Sequence, residues 1–128
     1  MTALRILIVD DIATTRELLR GLIISELRTH EPEITGDIFQ ASTIEEALKI
    51  LSGKDIQIVF LDIDLPDGNG LDIIDEIHVQ HPDAGIIIVS GDSTADSVRK
   101  AITKGVKGYV VKPFNAARVS EAINNCIE

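Results

Sequence analysis

Hydrophobic and polar residues are distributed along this chain in alternating blocks. Five short apolar runs rich in Ile and Val occupy Arg5–Val9, Ile34–Gln40, Ile56–Leu61, Ile86–Val89 and Tyr109–Val111. Each is bounded by Asp, Gly or Pro, as buried strands are. The third and fourth contain Ile-Val-Phe-Leu and Ile-Ile-Ile-Val and barely alternate. Both of their faces must therefore be covered, which marks a parallel sheet lying between helices. Five amphipathic stretches fill the intervals. Thr14–Arg28 places Leu18, Leu19, Leu22, Ile23 and Leu27 at helical spacing. Thr43-Ile44-Glu45-Glu46 reads as a capping box opening a helix that turns Ala47, Leu48 and Leu51 inward. Leu71, Ile74 and Ile77 mark a third helix that stops before Pro82. Thr94–Lys104, with Gly105 as its stop, and Asn115–Cys126 supply the last two.

Five alternations of strand and helix predict an α/β domain of (βα)5 type, with right-handed crossovers and a doubly wound parallel sheet. The flavodoxin-like strand order 2-1-3-4-5 is the commonest solution for five such units. The 128 residues match a single domain, with no linker or second domain visible and a core from about residue 4 to residue 127. A hydrophobic content of 45% with 26% charged residues excludes a disordered or fibrous chain. The net charge of -9 argues against direct nucleic-acid binding by the domain, since phosphate contacts need clustered positive charge. The one cysteine, Cys126, allows no internal disulfide and fits a reducing cytosol. No apolar run reaches the roughly 18 residues of a membrane span, so the expectation is a cytoplasmic protein without membrane insertion.

In a sheet of this kind ligands bind beyond the carboxyl ends of the strands, near the point where strand order reverses. Strand one ends in Asp10–Asp11, strand three in Asp62, strand four in Ser90 and strand five in Lys112. If strands one and three are neighbours, Asp10, Asp11 and Asp62 converge in one crevice, where three carboxylates repel unless a cation relieves them. A hard divalent ion such as Mg²⁺, with Mn²⁺ as substitute, suits that oxygen-rich set. Lys112 and Ser90 add an ammonium and a hydroxyl. Together these groups suit a phosphoryl group, with a carboxylate as nucleophile.

Four motifs, Ile6-Leu-Ile-Val-Asp10-Asp11, Phe60-Leu-Asp62-Ile-Asp64-Leu-Pro66, Ile88-Val-Ser90-Gly91 and Gly108-Tyr109-Val-Val-Lys112-Pro113-Phe114, resemble the receiver domains of two-component response regulators. The resemblance runs from Leu4 to Ile127, and the single-domain chemotaxis regulators are its nearest type. It implies that Asp62 accepts a phosphoryl group from a sensor histidine kinase or a histidine phosphotransfer protein. Asp10, Asp11, Asp62 and the backbone carbonyl of Asp64 would hold Mg²⁺. Lys112 would pair with the phosphoryl group, Ser90 would swing to one of its oxygens, and Tyr109 would turn inward behind it. The switched face would comprise the fourth helix, fifth strand and fifth helix, read by a downstream protein or effector domain. A weak or phosphorylation-dependent dimer is compatible with such a face. The resemblance further implies a signalling switch that hydrolyses its own phosphoryl group, not a turnover enzyme. The Lys112–Pro113 peptide is usually cis in that family.

Three features depart from the family pattern. Ser90 stands where Thr is commoner, the segment Thr29–Gly36 looks long, and Asp64 and Asp92 are acidic at positions that tune phosphoryl lifetime. Rival readings fit less well. Asp62-Ile63-Asp64 also matches the signature of haloacid-dehalogenase-type phosphatases, but the acidic pair precedes it and there is no room for a cap. An FMN carrier would need a phosphate-cradling loop where Asp10-Asp11-Ile12-Ala13 stands. Pro66-Asp67-Gly68-Asn69-Gly70 lacks the Gly-Lys-Ser/Thr of a P-loop and reads as a turn. His30, His78 and His81 fall on polar faces or loops. With no effector segment visible, a stand-alone receiver acting by protein contact is favoured over one cut from a longer regulator.

Overall fold

A computed structural model describes residues 2–127; the expected domain limits at Met1 and Glu128 lie outside them. The strands are β1 (Thr2–Val9), β2 (Ile34–Ala41), β3 (Ile58–Leu61), β4 (Gly85–Ser90) and β5 (Gly108–Val111). The helices are α1 (Ala13–His30), α2 (Ile44–Gly53), α3 (Ile74–Gln80), α4 (Ala95–Thr103) and α5 (Ala116–Ile127). All five strands are parallel, in the order β2-β1-β3-β4-β5. The flavodoxin-like order is therefore the observed one.

Two apolar layers flank the sheet, and strand alternation assigns them. Leu7, Val9, Val59, Leu61, Ile86 and Ile88 point to the side covered by α2, α3 and α4. Ile6, Ile8, Ile58, Phe60, Ile87 and Val89 point to the side covered by α1 and α5. All residues of β3 and β4 are buried, as their unbroken apolar runs require.

Local departures from expectation have identifiable causes. Helix α1 runs two residues beyond Arg28, and β2 starts at Ile34. The long Thr29–Gly36 segment is thus taken up by helix and strand, leaving only residues 31–33 as loop. At α2, the Thr43 hydroxyl accepts from Glu46 N–H as a capping box demands. The Glu46 carboxylate, however, accepts from Ser42 N–H and the Ser42 hydroxyl, one residue earlier than that motif places it. Asp67 completes the cap from a distance, accepting from Ile44 N–H at 2.9 Å and Glu45 N–H at 3.1 Å. The third helix opens as a 3₁₀ turn, Gly70–Ile73, before α3 proper. The predicted turn before it is a small hairpin pairing Asp64–Leu65 with Gly68–Asn69. His81 lies in the loop after α3, as expected, and is half-buried there: its Nε2 lies 2.7 Å from the Leu51 carbonyl and ties the end of α3 to α2.

Phe60 is among the largest fully buried side chains. Phe60→Ala should cost about 3–5 kcal/mol in urea unfolding. Val79→Lys, on an exposed position, should stay within about 0.5 kcal/mol of the parent. Equal effects would mean that the α1/α5 layer is not packed as described.

Candidate functional site at the carboxyl edge of the sheet

Asp10, Asp62 and Ser90 are the buried polar side chains of the described residues, and all three end strands or follow them directly. Parallel pairing with β1 between β2 and β3 sets Asp10 and Asp62 side by side, with Asp62 N–H donating to the Val9 carbonyl at 3.0 Å. Asp10 is 2% exposed and Asp62 5%. The Lys112 ammonium reaches in from the end of β5, 2.7 Å from Asp10 Oδ2 and 3.0 Å from Asp62 Oδ2. Burying charged groups is tolerable only when they are paired and hydrogen-bonded. Each has further partners: Ile12 N–H donates to Asp10 Oδ1 at 2.8 Å, and Asp64 N–H to Asp62 Oδ1 at 3.3 Å.

Asp11 is exposed, and one carboxylate oxygen from each of Asp10, Asp11 and Asp62 lies within 4.8 Å of the others. Three carboxylates against one ammonium leave local negative charge. A hard, oxygen-seeking divalent cation fits that donor set, with Asp11 on the solvent side.

The electrostatics follow from this geometry. Burial raises the Asp62 carboxyl above the usual carboxylate range; the Lys112 hydrogen bond opposes the rise and the Asp10 charge adds to it. Burial alone would lower Lys112, but its bonds to Asp10 and Asp62 outweigh that and hold the ammonium above its ordinary value.

Ser90 ends β4 with its side chain fully enclosed, and its Oγ accepts from Asp92 N–H at 3.1 Å. The Tyr109 hydroxyl donates to the Asp92 carbonyl. Burial, then the charges of Asp92, Asp64 and Asp62, push the phenol up, so it remains a donor. The Asp92 carboxylate accepts from Thr94 N–H at 3.0 Å, the Thr94 hydroxyl at 2.8 Å and the Ser97 hydroxyl at 2.5 Å. Those bonds, that from Ser97 first, lower its pKa. One loop residue thus joins the enclosed serine, the aromatic ring and the first turn of α4. The Lys112–Pro113 peptide is cis.

The sequence-predicted residues Asp10, Asp11, Asp62 and Lys112 converge, while Ser90 ends β4, Tyr109 lies in β5 and Asp64 opens the small hairpin after β3. Several supporting residues were not singled out from sequence. Arg16 donates to the Asp10 carbonyl at 2.7 Å and, through Nε, to Gln40 at 3.0 Å, fixing the loop that carries the acidic pair. Gly70 approaches so closely that a Cβ there would overlap the Asp62 carbonyl. Only the glycine itself, in a motif already read as a turn, could have pointed to that contact.

Comparison with known proteins agrees with this geometry. The sequence model of the response regulator receiver domain matches residues 6–124. The chemotaxis protein CheY of Thermotoga maritima is 38% identical over 94% of this chain and 94% of its own length. The transcriptional regulatory protein DcuR of Escherichia coli K12 is 32% identical over 94% of this chain, which spans only 48% of that protein. Among solved structures, the receiver domain of NtrX from Brucella abortus superimposes with a TM-score of 0.81 at 29% identity, covering 95% of this chain and 97% of that one. The fold and the edge cluster define a two-component signalling module. The chain belongs to the response regulator receiver domain family. Among the described residues no helix is long and apolar enough to cross a membrane.

A raised folded-state value means that the folded protein holds the Asp62 proton more tightly than the unfolded chain does. Ionised Asp62 therefore lowers stability as pH rises from the unfolded value of about 4 through the folded one. In chelator at pH 7, Asp62→Asn should melt several degrees above the parent, with the gain disappearing below about pH 4. A gain independent of pH would contradict the burial cost assigned to this carboxylate.

Proposed function

We propose that Asp62 is the phosphoryl acceptor and that the donor is a phosphohistidine on a sensor kinase or phosphotransfer protein. The observation that carries this is the Asp62 carboxylate, buried at the edge of the sheet beside Asp10, Asp11 and Lys112. Its oxygen attacks phosphorus, the P–O bond forms as the P–N bond to the donor imidazole breaks, and the leaving nitrogen keeps the electron pair. Lys112 stays beside the new acyl phosphate and offsets its charge. Mg²⁺, held by Asp10, Asp11, Asp62 and the Asp64 carbonyl, would supply charge neutralisation at the phosphoryl oxygens. Ser90 donates to a phosphoryl oxygen, and Tyr109 follows it inward. The acyl phosphate is later hydrolysed, so the protein works as a reversible switch whose α4, β5 and α5 face is read by a partner.

Magnitudes require that more than one residue drive the switch. Moving an equilibrium from 1:99 to 99:1 takes about 5.5 kcal/mol of differential binding. One charge-assisted hydrogen bond supplies about 1.5–3 kcal/mol, so Ser90 and Lys112 act together.

Incubation with Mg²⁺ and a small acyl phosphate should add one phosphoryl mass that maps to Asp62 and is absent in Asp62→Asn. Chelator should stop the reaction, and Asp11→Ala should lose most of the metal affinity. Undiminished labelling of the Asn variant, or full-rate labelling in chelator, would overturn the respective role.

With beryllofluoride as phosphoryl mimic, backbone amide shifts should concentrate between Gly91 and Phe114. They should shrink in Ser90→Ala and Lys112→Ala, although both remain able to take up phosphoryl groups. Shifts restricted to the loop after Asp62 in the parent would rule out propagation to this face.

A further inference from the structure

We propose that Arg16 is a positioning residue for the divalent-cation site: by clamping the Asp10 carbonyl it holds the Asp11 carboxylate beside Asp10 and Asp62. The inference rests on the receiver reading for the role of that site, and on the contacts of this chain for the rest. Asp10 is well held by other bonds. Its N–H donates to the Ala41 carbonyl at 3.0 Å, its Oδ1 accepts from Ile12 N–H at 2.8 Å, and its Oδ2 accepts from Lys112 at 2.7 Å. Asp11 is different. It is exposed, with a carboxylate oxygen within 4.8 Å of those of Asp10 and Asp62, and among the described residues no hydrogen bond or ion pair restrains its side chain. Repulsion from the two buried carboxylates drives it toward water.

Only its backbone can oppose that drift. Arg16 Nη1 donates to the Asp10 carbonyl at 2.7 Å. That oxygen belongs to the peptide group joining Asp10 to Asp11. Because the group is planar, fixing its oxygen also fixes the Asp11 nitrogen and the direction in which the chain continues. The arginine is itself aimed. Its Nε donates to Gln40 Oε1 at 3.0 Å, near the end of β2, and Gln40 Nε2 donates to Glu17 Oε1 at 3.2 Å. Both Arg16 and Gln40 are half-buried. A guanidinium that bridges two acceptors through separate N–H groups fixes a direction, whereas a lysine ammonium on its flexible stem does not.

The helix gives no reason for a cation at this place. Arg16 is the fourth residue of α1, whose first turn has no acidic side chain and whose N-cap, Ile12, supplies no side-chain bond. That end of a helix carries partial positive charge and favours anions. A local preference broken in this way points to a duty outside the helix. Position and charge act oppositely on cation affinity: the clamp gathers carboxylates and raises it, while the guanidinium charge lowers it. Substitutions separate the two. Arg16→Lys keeps the charge and loses the fork, Arg16→Met loses both, and Gln40→Leu removes the acceptor that aims the arginine.

The test titrates Mg²⁺ into the full chain, isotopically labelled and without phosphoryl donor, and follows amide shifts at Asp10–Ile12 and Asp62–Asp64. Half-saturation should move to about tenfold higher Mg²⁺ in Arg16→Lys and Arg16→Met, as for groups that orient metal ligands without touching the ion. Gln40→Leu should move it the same way by a smaller factor. With acyl phosphate, half-maximal labelling of Asp62 should need correspondingly more Mg²⁺, while the rate at saturating Mg²⁺ stays within about twofold of the parent. A purely structural arginine would lower the melting temperature in chelator and leave half-saturation of the folded protein unchanged. Unchanged half-saturation in Arg16→Lys or Gln40→Leu would therefore overturn the proposal, as would tighter binding by Arg16→Met or no Mg²⁺ binding by the parent. Should Arg16→Met fail to fold, Arg16→Lys and Gln40→Leu still decide. Failure of Asp62 labelling in the parent would count against the receiver reading alone, since the metal titration needs no donor.

Discussion

Two carboxylates with almost no access to water, Asp10 and Asp62, share the ammonium of Lys112 at 2.7 and 3.0 Å. Neither charge could stay buried alone, because breaking such a pair by removing one partner leaves an uncompensated charge worth about 3–5 kcal/mol. The lysine is 102 residues from one partner and 50 from the other. The ion cluster therefore forms only when β1, β3 and β5 are aligned at their carboxyl ends, with β4 between the latter two. The apolar layers favour that alignment, and the cluster depends on it. Its pairing is incomplete, since Asp11 adds a third carboxylate on the solvent side. That residual negative charge is what a hard divalent cation would relieve.

Much of this was legible in the chain. Unbroken apolar runs at β3 and β4 could only be strands covered on both faces, and that fixed the fold class. Asp10, Asp11, Asp62, Ser90 and Lys112 could be placed because each terminates a run, and a parallel sheet brings its carboxyl ends together. What escaped were contacts between segments distant in sequence and carrying no periodic signal. Asp67 caps α2 from the loop after β3, Arg16 braces the backbone of Asp10, and Gly70 packs under the Asp62 carbonyl. Helix starts carried the same limit: the Glu46 carboxylate chose Ser42 over the cap residue, a difference of one position that a spacing rule does not resolve.

The loop after β4 illustrates how a local hydrogen-bond pattern can carry a signal. The Ser90 hydroxyl accepts from Asp92 N–H and keeps its own proton free to donate. In the proposed switch it can therefore bond a phosphoryl oxygen without releasing Asp92. A displacement of Ser90 that keeps this bond is passed to the backbone two residues on. Asp92 is tied through its carboxylate to Thr94 and Ser97, and through its carbonyl to Tyr109. Movement of Ser90 then carries the first turn of α4 and the Tyr109 ring together. Rotation of the serine side chain alone would leave both where they are, so the Asp92 bonds make the response collective. Through these bonds the enclosed Ser90 is joined to both α4 and β5 rather than to either alone.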